Sequence, residues 1–62
     1  MQLESALDYL RNGYKVQSEY WEDKYLFMLY NRFFISDSNG QTEIGFLFYD
    51  EITGDWRVYN HV

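Results

Sequence analysis

Few residues in this 62-residue sequence could do covalent chemistry. A nucleophile needs a base within hydrogen-bond reach. The one histidine is His61, followed only by Val62, in a tail expected to fray. A Ser-His-Asp arrangement is therefore not expected. Two carboxylate pairs occur, Glu22-Asp23 and Asp50-Glu51. Acid–base work needs a cleft that raises one of the two pKa values, and neighbours on an exposed loop do not provide it. The four glycines, Gly13, Gly40, Gly45 and Gly54, are too far apart for a phosphate-cradling loop. There is no cysteine, which removes disulfides and thiolate metal sites. With one histidine, no structural zinc set can be assembled. The sequence makes no positive case for an enzyme, a cofactor or a metal.

What stands out is aromatic surface. Phe, Trp and Tyr are 23% of the chain. Tyr9, Tyr14, Tyr20, Trp21, Tyr25, Tyr30, Tyr49, Trp56 and Tyr59 cannot all be core in so small a protein. Such side chains offer large contact area with a polar handle, and they also stack on bases. The surplus suits a protein interface, a pocket for a planar base-containing molecule, or a seam between copies of the chain. Trp21 fits either a core plug or a ligand wall.

The net charge is −5, with ten acids against five bases. That argues against binding a phosphate backbone, which needs clustered Lys and Arg. The acids are scattered, so they suit a soluble surface or, alternatively, a nucleic-acid mimic filling a basic groove on another protein. The start, Met1-Gln2-Leu3-Glu4, lacks a basic segment and no long apolar run follows. A cytoplasmic protein with no membrane contact is the expectation.

The elements that position these residues follow from periodicity. Leu3, Ala6, Leu7 and Leu10 form one stripe of an amphipathic helix. Asn12-Gly13 ends it, Gly13 being free to take the left-handed conformation. Tyr14–Ser18 alternates as a first strand, and residues 18–23 form a loop carrying Trp21. Lys24–Tyr30 is the central strand. Along it Tyr25, Phe27 and Leu29 point to one face and Leu26, Met28 and Tyr30 to the other. Asn31-Arg32 is a two-residue turn into Phe33–Ser36, and Asp37-Ser38-Asn39-Gly40 is a second turn. Thr42–Phe48 is a fourth strand, where Gly45 marks a bulge or close backbone approach. One helical turn spans Asp50 to Gly54, and Trp56–Tyr59 closes the sheet. The expected fold is a single α+β domain over 1–62: one N-terminal helix packed on an antiparallel meander of about five short strands, in two layers.

Both faces of the central strand are apolar, and one helix covers one face. A chain of this size buries only about 60% of its unfolded surface, so a lone copy is marginal. A second copy covering Leu26, Met28 and Tyr30 is the simplest completion, and a homodimer or higher oligomer is expected.

The order of short motifs adds a resemblance. Ala6-Leu7-x-x-Leu10-Arg11-x-Gly13-x-x-Val16 is followed by Trp21, by Tyr25-Leu26-Phe27 and by Asp55-Trp56-x-Val58. This pattern resembles the small phage proteins of the second Thoeris anti-defence type. The resemblance implies an oligomeric α+β protein in the infected bacterial cytoplasm. It implies sequestration of a cyclic ADP-ribose-type immune signal in pockets between subunits. It carries over Trp21, Tyr25 and Trp56 as stacking residues and Asp55 for hydroxyl or amine contacts. A pyrophosphate would also want cations, and Arg32 is taken as one. The sequence departs from the family at Ser18, where an Arg is usual, and at Tyr20, where a Gly is usual. The alternative is therefore a small acidic inhibitor that binds a bacterial defence or host protein directly, and a purely structural module is a third reading.

Overall fold

The structure, a computed structural model, describes residues 1–60. The order of elements is α1 (Leu3–Arg11), β1 (Val16–Ser18), β2 (Lys24–Leu29), β3 (Arg32–Asp37), β4 (Thr42–Ile44), α2 (Tyr49–Thr53) and β5 (Trp56–Val58). The helical stripe behaves as its spacing requires. Ala6 and Leu10 are buried, and Leu3 and Leu7 pack beside them. Gly13, at φ +89°, ends the helix as its N–H bonds to the Leu10 carbonyl at 3.1 Å.

The five strands form one antiparallel sheet in the order β4-β3-β2-β1-β5. The first four strands meander. β5 then returns to the opposite edge and lies beside β1, with Gln17 opposite Arg57. Its outer edge is closed by Met1, whose ammonium donates to the Trp56 carbonyl at 2.8 Å. The Met1 carbonyl in turn accepts the Trp56 N–H at 2.6 Å. The free edge is β4.

Registers decide which face the helix covers. Val16 lies opposite Leu26, and Leu26 opposite Ile35. Directly opposed residues share a face, and these three are buried with Ala6 and Leu10. The helix therefore sits on the Leu26 side. This corrects the seam expected from the sequence. Leu26 is 2% exposed inside its own chain's core, and Met28 packs against that core. Leu26 is closed to a second copy, and Met28 is half-buried. Tyr30 is not in the strand at all. It is 88% exposed in a two-residue turn with Asn31, at φ 51° and 62°. The expected Asn31-Arg32 turn thus moves back by one residue. Strand twist favours a turn with both central residues at positive φ, and Arg32 is released to pair with Leu29.

The Asp37–Gln41 turn forms as its residues dictate. The Asp37 carboxylate accepts the N–H groups of Asn39 and Gln41 at 2.9 and 3.0 Å, and Gly40 takes φ +80°. β4 is shorter than expected. At Gly45 the backbone passes so close to Phe33 that an added Cβ would lie 3.0 Å from its backbone and side chain. The chain then leaves the sheet and turns Leu47 against the core.

Candidate functional site

Two of the stacking candidates are core residues. Trp21 and Trp56 are 5% and 2% exposed and meet edge to face, with ring centroids 5.2 Å apart. Their polar edges are already satisfied by one residue. The Glu51 carboxylate accepts from Trp21 Nε1, and its other oxygen accepts the Phe48 N–H at 2.8 Å. The Glu51 carbonyl accepts from Trp56 Nε1 at 2.8 Å. Neither indole presents a face to a ligand, so both are withdrawn as ligand walls. The carboxylate pairs part company as well. Glu51 is a buried structural acceptor while Asp50 is exposed. Asp23 takes the Ser38 hydroxyl at 3.0 Å, and Glu22 is exposed.

The other candidates are scattered. Asp55 is exposed at the loop before β5, its backbone held by Glu19. Tyr25 points to the opposite side of the sheet from Trp56. Arg32 shares the Tyr25 face, since it lies opposite Leu29, but at the hairpin end. Four residues of strand, about 13 Å, separate the two along that face. Trp21, Tyr25, Asp55, Trp56 and Arg32 therefore do not converge on one site. His61 lies outside the described residues.

What the fold assembles instead is the sheet face away from α1. Alternation places Tyr25, Phe27 and Leu29 there from β2, joined in register by Phe34 and Ile44. Tyr59 stacks on Tyr25 with centroids 4.8 Å apart and planes 23° from parallel. Tyr25 and Phe27 follow at 5.8 Å, then Phe27 and Phe34 at 5.8 Å. The four rings form one continuous row across the sheet. Because they pack on one another and are half-buried, they offer edges more than open faces. Leu29 and Ile44 are exposed at the end of the row.

The charge of this face is the reverse of the whole. Arg32 and Arg57 occupy strand positions facing this side, and the Lys15 ammonium lies 4.8 Å from the centre of the Tyr25 ring. Three of the five basic residues are thus gathered here. By alternation no acidic residue of the paired strands points to this side, and Asp37, at the end of β3, borders it. An aromatic surface with positive rims sits on a body of net charge −5. The sequence offers Tyr59 only within the aromatic surplus and does not single out Phe34, Lys15 or Arg57. The alternation in Trp56-Arg57-Val58-Tyr59 held the signal for two of them. What was missing was the knowledge of which face α1 leaves bare.

The hollow on this face is small, about 180 Å³, bordered by Lys15, Tyr25, Asp37, Ser38, Gly40 and Tyr59. Small-molecule sites commonly span about 300–1,000 Å³. No group of three His, Cys, Asp or Glu residues among the described residues could hold a metal ion. No helix among them is long and apolar enough to cross a membrane. No protein-family profile and no curated protein matches this chain.

Proposed function

We propose that this chain is a non-enzymatic binding protein that docks the bare face of its sheet on a protein partner. This is the reading of a small acidic protein that inhibits a bacterial defence or host protein by direct contact. The observation that carries it is the unbroken row Tyr59–Tyr25–Phe27–Phe34, half-buried on the sheet face away from α1 and edged by exposed Leu29 and Ile44, with Lys15, Arg32 and Arg57 on the same side. Aromatic residues and Arg dominate the energetics of protein interfaces. A flat surface of ring edges suits interdigitation with another protein better than enclosure of a small molecule. A second copy docked face to face would set Lys15, Arg32 and Arg57 against like charges, so a different, acidic surface fits better.

The test is capture from a host lysate carrying an active defence system, with wild type and Phe34→Asp in parallel. The expected result is one stoichiometric partner that wild type retains and a folded Phe34→Asp loses. Absence of such a partner, or capture indifferent to Phe34→Asp, removes the reading.

One observation favours sequestration of a cyclic ADP-ribose-type signal instead. The Tyr25–Tyr59 stack and Lys15 border the same hollow, and a second subunit could enlarge it. Thermal-shift titration with cyclic ADP-ribose isomers decides between the two. Ligand that binds only the native state must raise the melting temperature.

A further inference from the structure

We infer that Arg57 and Lys15 form a preorganised subsite for an oxyanion, phosphoryl or carboxylate, at the β1–β5 corner of the bare face. The inference deepens the docking reading by naming what the partner places there, and it rests on that reading only for the source of the anion.

The first support is Gln17. It sits on the open face of the sheet and yet is 2% exposed. A buried amide is costly unless its hydrogen bonds are made, and here every one is. Its Nε2 donates to the carbonyls of Glu22 and Lys24 at 3.1 and 3.0 Å. Its Oε1 accepts from Arg57 Nε and Nη2 at 3.1 and 2.8 Å. The amide is locked to the backbone at one end and holds the guanidinium at the other. A carboxylate in this place would neutralise Arg57. A neutral acceptor orients the fork and leaves its charge uncompensated. Arg57 keeps the outer edge of its fork, the geometry that takes an oxyanion through paired N–H donors.

The second support is the company Arg57 keeps. The Val16–Leu26 register places Tyr25 beside Gln17 on the same face. Lys15 reaches over that Tyr25 ring, and the register sets Arg57 across Gln17 from the same tyrosine. The Tyr25–Tyr59 stack forms its wall. Among the described residues neither Lys15 nor Arg57 has an acidic partner, and the ion pair found is Arg11 with Asp8. Asp37 borders the neighbouring hollow, and its Oδ1 accepts two N–H groups of its own turn. Both cations are exposed to solvent, and Arg57 is held in place by a buried residue.

The test is NMR titration of the whole chain with inorganic phosphate, acetate and chloride at constant ionic strength, reading the Arg57 Nε–H and the Tyr25 and Tyr59 ring signals. Saturable shifts with phosphate or acetate, absent with chloride, are expected. The stronger of the two arms identifies the phosphoryl or the carboxylate source. Arg57→Ala and Lys15→Gln should each weaken binding by about fivefold or more. Arg57→Lys should weaken it too, because charge without the fork is not enough. Gln17→Leu, a positioning change, should weaken binding and speed solvent exchange of the Arg57 Nε–H. If Gln17→Leu does not fold, the exposed Lys15 and Arg57 variants still decide. Shifts that rise linearly, match chloride, or persist in Arg57→Ala overturn the inference. The titration needs no partner. Its failure leaves aromatic docking standing, and loss of partner capture leaves the anion subsite standing.

Discussion

Glu51→Ala should come close to unfolding this protein, although position 51 lies in a helix of a single turn. The substitution removes the acceptor for two donors, Trp21 Nε1 and the Phe48 N–H. The indole is buried and water cannot replace the lost oxygen there. A donor left unsatisfied inside a protein costs about 1–3 kcal/mol. For two donors, one partly reached by water, the loss is about 2–5 kcal/mol. A chain of this length is stable by about 3–9 kcal/mol in all. Urea unfolding followed by tryptophan fluorescence reports the change directly, since both indoles sit in the affected core. With a slope near 1 kcal/mol per M for so small a chain, the midpoint should fall by about 2 M or more. Glu51→Gln keeps the shape and one acceptor oxygen and should lose about half as much. A Glu51→Ala midpoint within about 0.5 M of wild type would refute the assignment of Glu51 as the polar anchor of the two tryptophans.

Other substitutions probe the remaining supports. Leu26→Ala should cost about 2–5 kcal/mol by leaving a cavity under α1, whereas Leu29→Ala, three residues away on the exposed face, should cost under about 1 kcal/mol; paired urea curves measure the contrast. Gly45→Ala forces a Cβ to within 3.0 Å of Phe33 and should destabilise by about 1–3 kcal/mol in the same assay. Tyr30→Asn should raise stability by up to about 1 kcal/mol in a thermal melt, because φ 51° suits asparagine better than tyrosine.

Much of the fold could be read from the sequence because the signals were local. The Leu3-Ala6-Leu7-Leu10 stripe, the stop at Gly13 and the Asp37–Gly40 turn each follow from a few adjacent residues, and each forms. The face of the sheet that α1 covers is not local. Tyr25-Phe27-Leu29 and Leu26-Met28 are about equally apolar, so the strand itself does not say which set goes inside. The choice is made by register, because Val16, Leu26 and Ile35 align into one aliphatic surface that the leucines of α1 can fill. The aromatic set Tyr25, Phe27 and Phe34 lies on the other face. Trp21 fits a core plug or a ligand wall from the sequence, and the stacking role of Trp21 and Trp56 is what the resemblance implies. A tryptophan looks like a ligand wall until the acceptor of its N–H is known, and Glu51 lies thirty residues from Trp21. The orientation of Arg57 is not legible in the sequence because it depends on Gln17, forty residues earlier.

The central claim is that the helix covers the Leu26 face and not the Tyr25 face. Solvent paramagnetic relaxation of methyl signals in the free protein tests it most directly, using an inert gadolinium chelate across a dilution series. The Leu29 and Ile44 methyls should be strongly broadened at every concentration, and those of Leu26 and Ile35 should be protected. Protection of Leu29 and Ile44, or broadening of Leu26, would contradict the account.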